Sequence, residues 1–174
     1  IVTIGAYLSA GTISGPSSVC VGSSITLTDP APGGTWSSSS GAATVSGGVV
    51  TGISGGTTTI SYTVTASCGS ASATRLVNVI PTPDGGILTG PTILCAGMTA
   101  TYTTTASGGT WGVTNSTATI TSGGFVTAVT TGIDTITYTV TNACGTDVSS
   151  TTATIGPAIT AGSISGPGFV CEGA

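Results

Sequence analysis

Five cysteines and five carboxylates are the residues of this sequence with the most distinctive chemistry. The sequence has one Lys or Arg, which is Arg75, and no histidine. Without histidine there is no Ser-His or Cys-His pair to activate a nucleophile. The carboxylates are scattered and do not recur at a fixed spacing, which disfavours a two-carboxylate glycosidase and an oxygen-rich calcium site. They are Asp29, Asp84, Asp134, Asp147 and Glu172. We therefore expect a protein that is not an enzyme and uses no metal or cofactor.

The cysteines belong to a repeat of about 75 residues, a period typical of tandem domains. "GGTWS" around Trp36 recurs as "GGTWG" around Trp111, and "TISYTVTASCGS" recurs as "TITYTVTNACGT". Each repeat has one early and one late cysteine. We expect two full repeats, in 11–84 and 85–160. The flanking residues are expected to be the last strand and linker of a preceding repeat in 1–10 and the first strand of a following repeat in 161–174.

Alternation of apolar and polar residues predicts β-strands. Ile60, Tyr62 and Val64 alternate with serine and threonine, and the pattern returns in 136–140. Such a period of two indicates a strand with one buried face. About seven short strands in each repeat predict an all-β sandwich, whereas a β-solenoid would need a shorter period. The aromatic residues expected to anchor the cores are Trp36, Trp111, Tyr62 and Tyr138.

The repeat also predicts how the cysteines pair. We expect one disulfide inside each repeat, Cys20 with Cys68 and Cys95 with Cys144, and a partner for Cys171 outside this sequence. Closing a loop of about fifty residues would stabilise each domain by ~4 kcal/mol in the chain-entropy account. A second scheme, Cys68 with Cys95 and Cys144 with Cys171, is less favoured. In that scheme Cys68 precedes a last strand about 30 Å long, which places it far from the start of the next repeat. Disulfides imply an oxidising, extracellular setting.

The composition excludes two classes of partner. Only 3% of the residues are charged, whereas about a quarter are charged in typical globular proteins. Nucleic-acid binding and electrostatic binding to membranes both require clustered lysines and arginines. No apolar run approaches the roughly 18 residues of a membrane span, so we expect no membrane insertion within this sequence.

Longer phrases of the sequence resemble a known family. "GGTWSSSSGAATVSGGVVTGISGGTTTISYTVT" resembles bacterial Ig-like repeats of the Big-2 type. The framing "SGPSSVCVGSS" and "SCGSASAT" resembles Ig-like or PKD-like modules in very long surface proteins of Bacteroidota. The resemblance implies tandem Ig-like β-sandwich domains joined by short linkers, in a secreted, cell-surface protein without catalytic residues. Such proteins are often exported by the type IX route and serve as adhesins or extracellular appendages.

Two short motifs are candidate modification sites. The sequence Asn-Ser-Thr at Asn115 fits the N-glycosylation sequon, which bacteria rarely use. The sequence Asp-Thr-Ile around Thr135 resembles the Asp-Ser/Thr-apolar pattern of O-glycosylation in Bacteroidota. The alternative for Thr135 is an ordinary solvated residue at a strand edge.

Apolar residues outside the expected cores predict lateral association. Leu76 and Ile80 lie out of phase with the core-facing residues of their strand, and Tyr7 and Leu8 lie in an apolar linker. Few charges are present to block pairing at the sheet edges. We expect other copies of the chain to pack against these residues in a bundle or filament, or glycans to cover them.

The expected function is a structural segment of a long extracellular stalk, filament or appendage used for adhesion or for contact with surfaces or prey. The expected partners are other copies of the chain, neighbouring repeats of the same polypeptide, and ligands on cell or prey surfaces. The main alternative is a ligand-binding or glycan-binding adhesin module. Ice binding is less favoured because threonine arrays need a flat solenoid face, which the long period argues against.

Overall fold

The computed structural model describes residues 8–163 and 165. These residues form sixteen β-strands and no helix, so they include no helix able to cross a membrane. The chain divides into two compact units. Unit 1 contains the residues up to Pro83 together with Thr141–Asp147, and unit 2 contains Asp84–Val140 and the residues from Val148 onward. The turn region Thr141–Asp147, which comes from the second repeat, therefore belongs to unit 1.

Seven strands of the first repeat form two sheets in unit 1. They are β1 (Ser18–Cys20), β2 (Ser24–Thr26), β3 (Thr35–Ser38), β4 (Ala43–Ser46), β5 (Val49–Gly52), β6 (Gly56–Ala66) and β7 (Gly69–Ile80). One sheet has the order β1-β7-β6-β3 and the other has the order β2-β5-β4. Neighbouring strands are antiparallel except β1 and β7, which run parallel. Because of this parallel pairing, the first and last strands end side by side.

The second repeat has the same arrangement with two additional short strands. Its strands are β8 (Leu88–Thr89), β9 (Ile93–Cys95), β10 (Thr99–Thr101), β11 (Thr103–Thr104), β12 (Thr110–Val113), β13 (Ala118–Ile120), β14 (Phe125–Ala128), β15 (Gly132–Asn142) and β16 (Gly145–Gly156). The sheet orders are β12-β15-β16-β9, β10-β14-β13 and β11-β8. Strand β9 runs parallel to β16, as β1 does to β7.

The sheet orders identify the fold. In an Ig-like sandwich the second, fifth and fourth strands share one sheet and the third, sixth and seventh strands share the other. Strands β2, β5 and β4 and strands β3, β6 and β7 follow this rule, and β1 joins the edge of β7. The all-β fold of Ig-like sandwiches predicted from the sequence is confirmed.

The longest element of unit 1 is the hairpin of β6 and β7. Its register runs from Gly56 opposite Val79 to Ala66 opposite Gly69. Side chains alternate between the two faces of a strand, and Ile60 and Tyr62 are buried as this alternation requires. At ~3.3 Å per residue, the strand β7 separates its two ends by about 36 Å.

Each unit has its own hydrophobic core with an aromatic pair at its side. The fully buried residues of the first core include Val50, Ile60 and Val77, and those of the second include Val126, Ile136 and Ala153. The aromatic pairs are Trp36 with Tyr62, whose ring centroids are 4.8 Å apart, and Trp111 with Tyr138, 4.9 Å apart. The tyrosines are buried and the tryptophans are half-buried. Tilted or edge-on ring contacts of this kind add to the burial of apolar area.

Two equivalent turn glycines let the strands approach closely. Gly48 has a φ of 85° and Gly124 has a φ of 78°. A Cβ atom at either position would overlap the backbone oxygen of Leu27 or Tyr102. Only glycine adopts this backbone conformation without strain and also leaves room for the neighbouring carbonyl.

We predict that Tyr62→Phe destabilises the protein by about 1–3 kcal/mol. The hydroxyl of Tyr62 accepts a hydrogen bond from the N–H of Gly34 at 2.8 Å and donates one to the carbonyl of Ala31 at 2.7 Å. Removing it leaves both backbone groups without this partner, at a cost of about 1–3 kcal/mol. Denaturant unfolding followed by tryptophan fluorescence measures the loss. The exposed variant Thr65→Ser is the control, and an equal effect in both variants would contradict the prediction.

Candidate functional site

A disulfide between Cys20 and Cys144 lies in unit 1. The two Cα atoms are 5.7 Å apart, a usual separation for a disulfide. The bond joins residues 124 positions apart in the sequence, one at the end of β1 and one in the turn between β15 and β16. Closing a loop of that length stabilises the folded state by about 5 kcal/mol in the chain-entropy account.

The residues around the disulfide hold the turn in place. The side-chain Nδ2 of Asn142 donates to the carbonyl of Pro81 at 2.9 Å, and its Oδ1 accepts from the backbone N–H of Cys144 at 2.7 Å. The Sγ atom of Cys144 lies 3.6 Å from the carbonyl oxygen of Ile80. We call Cys20, Ile80, Pro81, Asn142 and Cys144 the cystine site.

The predicted disulfide between Cys20 and Cys68 is wrong, because the two cysteines lie at opposite ends of β7. Cys20 is opposite Ile80, at the end of that strand, and Cys68 immediately precedes its first residue. The strand separates these ends by about 36 Å. A disulfide requires Cα atoms within about 7 Å.

The predicted pair Cys95 and Cys144 is wrong for the same reason. Cys95 lies opposite Gly156, the last residue of β16, and Cys144 immediately precedes that strand. Cys68 and Cys95 are both free thiols, so the less favoured pairing between them is not formed either. Cys171 lies outside the described residues.

A pocket of about 300 Å³ lies beside the disulfide. Its walls include the three serines Ser18, Ser23 and Ser24 and the apolar residues Ile25 and Ile80. Among the described residues that line it, none has an aromatic or charged side chain. The volume is at the lower limit for ligand sites, and the serine hydroxyls could bind a small polar group.

A buried carboxylate forms a second site with an unusual environment. Asp134 is fully buried and accepts hydrogen bonds from residues 114–118 and from Thr135. The donors are the backbone N–H groups of Thr114, Asn115, Ala118 and Thr135 and the hydroxyls of Thr114 and Thr117, at 2.9–3.3 Å. Asp134 therefore fixes the segment that leads from β12 into β13.

These hydrogen bonds determine the protonation state of Asp134. Burial by itself raises the pKa of the carboxyl, and the backbone and hydroxyl hydrogen bonds lower it. The hydrogen bonds outweigh burial, so the pKa of Asp134 lies below its ordinary value. A carboxylate that accepts several N–H donors is stabilised in its charged form in this way.

The first repeat holds a neutral residue at the equivalent position. Thr58 is also buried, and its hydroxyl lies 2.8 Å from that of Ser38 and 3.5 Å from that of Ser39. The structural role of Asp134 was not predicted from the sequence. The available signal was the match of "GTTTI" with "GIDTI", which places the carboxylate at a core-facing position of the strand.

The single cation of the sequence also has a structural role. The guanidinium of Arg75 donates to the backbone carbonyls of Ile13, Gly15 and Pro16. A guanidinium presents several N–H donors in a fixed plane and suits such a group of acceptors. Arg75 therefore holds the segment that leads into β1.

The two candidate glycosylation residues lie near Asp134. Asn115 is exposed, and its side-chain Nδ2 donates to the carbonyl of Ile133 at 2.9 Å. Thr135 is half-buried in β15. Modification of either residue stays a prediction.

The residues expected to pack against other copies have different environments. Leu76 is 62% exposed, and Leu8 and Ile80 are half-buried. Ile80 lines the pocket beside the disulfide, and Tyr7 lies outside the described residues. Packing against other copies stays a prediction. Within the described part of the chain, no group of three or more His, Cys, Asp or Glu side chains could hold a metal ion.

No protein-family model matches the sequence, and no curated protein matches it. A SusE-like surface-located polysaccharide-binding protein from the heparin utilisation locus of Bacteroides thetaiotaomicron is 14% identical, with a TM-score of 0.34. The match covers 83% of this chain and 34% of that protein. The S-layer protein SbsC is 20% identical, with a TM-score of 0.32, over 78% of this chain and 23% of the S-layer chain.

Drosophila N-cadherin EC1-4 is 9% identical, with a TM-score of 0.29, over 85% of this chain and 48% of the cadherin chain. The chain thus spans about a third of the SusE-like protein, about a quarter of the S-layer chain and about half of the cadherin chain.

We predict that Asp134→Asn destabilises unit 2 by at least ~2 kcal/mol at neutral pH, because a hydrogen bond to a charged group contributes about 1.5–3 kcal/mol. The pKa of Asp134 is lowered in the folded state. The contribution of its carboxylate is therefore complete above the unfolded pKa of ~3.9 and is lost as the pH falls through the folded pKa. The difference between wild type and variant should narrow below about pH 4.

The measurement is denaturant unfolding at several pH values, followed through Trp111 in a Trp36→Phe background. The exposed variant Asp84→Asn is the matched control and should behave like the parent at neutral pH. A difference between wild type and Asp134→Asn that stays constant down to the lowest pH would contradict the assigned role of the carboxylate.

The disulfide assignment predicts one fragment pattern from two cleavage reagents. Arg75 is the only site for trypsin and the only methionine, Met98, is the site for cyanogen bromide. Together they give fragments 1–75, 76–98 and 99–174. In a monomer of residues 1–174, analysed without reduction, the Cys20–Cys144 bond should join 1–75 to 99–174 and leave 76–98 separate, as measured by mass spectrometry.

The other pairings give different fragment patterns. Disulfides inside each repeat would join 76–98 to 99–174 and leave 1–75 separate. The pair Cys68–Cys95 would join 1–75 to 76–98. Either pattern, found without a link between 1–75 and 99–174, would overturn the assignment. The Cys144→Ser variant is the control, since it should release 1–75 from 99–174.

Proposed function

We propose that this chain is a non-catalytic, load-bearing segment of a long extracellular repeat protein that forms a surface stalk, filament or appendage. The observation behind the proposal is the disulfide between Cys20 and Cys144, which spans 124 positions of the sequence. It ties the first strand of one repeat to the hairpin turn that the next repeat contributes to unit 1.

The disulfide changes how tension would pass along the chain. A force applied to the chain before Cys20 and after Cys144 travels through the S–S bond. Residues 21–143 then lie outside the path of the force and are not extended. A segment cross-linked in this way keeps its length when the hydrogen-bonded sheets alone would unravel.

The same bond supports an extracellular location. Structural disulfides persist in oxidising compartments and are rare in the cytosol. The few charged side chains and the sequence resemblance support a secreted, cell-surface protein of Bacteroidota exported by the type IX route. Attachment to cell or prey surfaces, by way of a long array of such repeats, is the function that this setting favours.

Lateral association with other copies of the chain is part of the proposal. Leu76 is exposed on β7, at a position where a strand in contact only with water would more often have a polar residue. Few charges are present on the chain to oppose packing of strands from different copies. The expected assembly is a bundle or filament.

A second candidate function is a ligand-binding or glycan-binding adhesin module. The pocket beside the disulfide favours it, because three serines line its wall. The small volume of the pocket, and the absence of an aromatic side chain among the described residues that line it, make this function the weaker candidate. Chemical-shift changes confined to Ser18, Ser23 and Ser24 on addition of a glycan would support this second function.

We predict that, when single molecules are pulled from their ends, the Cys20–Cys144 disulfide keeps part of the chain from being extended. We call this part the shielded length. The 124-position span corresponds to about 400–450 Å of extended chain at ~3.3–3.6 Å per residue. This length should be absent from the extension of the oxidised protein and should appear after reduction with dithiothreitol. The Cys20→Ser variant should release it without reductant, and Cys68→Ser should not. Full extension of the oxidised wild type would overturn the load-bearing role.

A further inference from the structure

We infer that Cys68 and Cys95 form disulfides of the Cys20–Cys144 kind with cysteines of adjoining copies of the repeat. The inference rests on the proposed function, because it needs repeats arranged in series. In each bond, the cysteine that ends the first strand of one repeat joins the turn cysteine of the repeat that follows. Cys95 therefore bonds to a turn cysteine, and Cys68 bonds to a strand-end cysteine.

The strand that ends at Cys95 matches the strand that ends at Cys20. Cys95 lies opposite Gly156 in a parallel pair, as Cys20 lies opposite Ile80. Both cysteines are half-buried. Cys20 is bonded and Cys95 is a free thiol, so the second repeat presents the same half of the bond with its sulfur still available.

The backbone beyond the two cysteines matches as well. The backbone after each cysteine makes two further hydrogen bonds, and their lengths are the same in the two repeats. They are Val21 N–H to Ile80 O and Ala96 N–H to Gly156 O, both 2.9 Å, and Ser23 N–H to Cys20 O and Met98 N–H to Cys95 O, both 3.0 Å. The backbone hydrogen bonds around Cys20 are therefore reproduced around Cys95.

Cys68 supplies the other half of such a bond. It occupies the turn between β6 and β7, directly before Gly69, as Cys144 occupies the turn between β15 and β16, directly before Gly145. The φ angles of these glycines are 140° and 141°, so the residue that follows each cysteine has the same backbone angle. Cys68 is exposed and can be reached by a strand-end cysteine.

The two turns differ at the residue two positions before the cysteine. The alignment places Ala66 where the second repeat has Asn142, the residue whose amide donates to Pro81. The turn of the first repeat thus has the cysteine without the anchoring amide. The Cys68 bond should therefore be reduced more readily than the Cys20–Cys144 bond, since its turn is held in place by fewer contacts.

Formation of each bond requires an oxidant. Two thiols lose two protons and two electrons, and a disulfide oxidant, such as oxidised glutathione or a secretory thiol oxidoreductase, accepts them. One protein thiolate attacks the S–S bond of the oxidant, forming a mixed disulfide and releasing one thiol. The partner thiolate then attacks the protein sulfur of the mixed disulfide and releases the second thiol of the oxidant.

The resulting cross-links would overlap along the array. Cys68 and Cys95 both lie between Cys20 and Cys144 in the sequence, so each new bond closes a loop that shares residues with the known one. A chain under tension would then meet a covalent path in every repeat. A single disulfide leaves the strands outside its loop exposed to the force.

The test uses the protein isolated from its source without reductant and treated with N-ethylmaleimide. Trypsin and cyanogen bromide release Cys95 in fragment 76–98. We expect that fragment to be recovered joined to a peptide that contains a turn cysteine, and Cys68 to be unlabelled. The Cys20–Cys144 link in the same digest is the internal control. Cys68 and Cys95 recovered mostly with N-ethylmaleimide, or mostly with glutathione, would overturn the inference.

Isotope mixing identifies the source of the partner cysteine. Light and ¹⁵N-labelled chains are mixed, reduced, and re-oxidised with oxidised glutathione. Partners from the same polypeptide give only light–light and heavy–heavy cross-linked peptides, and partners from a second copy give light–heavy peptides as well. Both results support the cross-link, and they show whether the partner cysteine lies in the same polypeptide or in a second copy. Absence of any cross-linked 76–98 peptide argues against it.

The result is separable from the test of the proposed function. When residues 1–174 are pulled without adjoining repeats, Cys68 and Cys95 have no neighbouring repeat to bond with, so the shielded length depends on the Cys20–Cys144 bond alone. If that length is found while Cys95 is a free thiol, the load-bearing role stands and the cross-linked array is wrong. If Cys95 is cross-linked but no length is shielded, the bond exists and the load-bearing role is wrong.

Discussion

The parallel pairing of the first and last strands is the constraint on which the rest of each repeat depends. It places the end of β1 beside the end of β7, about 36 Å from the turn that begins β7. The two cysteines of one repeat are thereby held at opposite ends of the same sheet. They therefore cannot bond to each other, and the disulfide of the described residues, Cys20–Cys144, instead joins the first repeat to the second.

This constraint also explains how small sandwiches of this kind are stabilised. A domain of about 75 residues buries a limited share of its surface and commonly needs a cross-link. In each unit an apolar core stabilises the sandwich locally. The core is built on residues such as Ile60 or Ile136 and has an aromatic pair beside it. The disulfide adds a restraint over a much longer stretch of chain. Local packing and long-range linkage are thus separate in this protein, and they can be altered separately.

The sequence predicts the fold well because the fold follows from short-range patterns. Alternation along β6 and β15 and the glycine turns recur in both repeats, and the sheets form as these patterns require. The pairing of the cysteines does not follow from short-range patterns. The prediction of one disulfide per repeat assumes that the early and late cysteines of a repeat lie close together. The distance between them depends on whether the first strand pairs in parallel with the last strand, which no short-range pattern specifies. The burial of Asp134 was missed because its six donors come largely from residues 114–118, which no local pattern brings to the strand.

The charged residues show how a chain with so few ions uses them. Arg75 donates to backbone carbonyls of the segment before β1, and Asp134 accepts from the segment before β13. Both side chains satisfy backbone groups of irregular segments, which sheet hydrogen bonds cannot reach. Charge therefore serves internal structure here, and hydroxyl side chains cover much of the outer face of strands such as β6 and β16. A surface of this kind has little long-range repulsion between copies, so contact between them depends on shape and apolar residues such as Leu76.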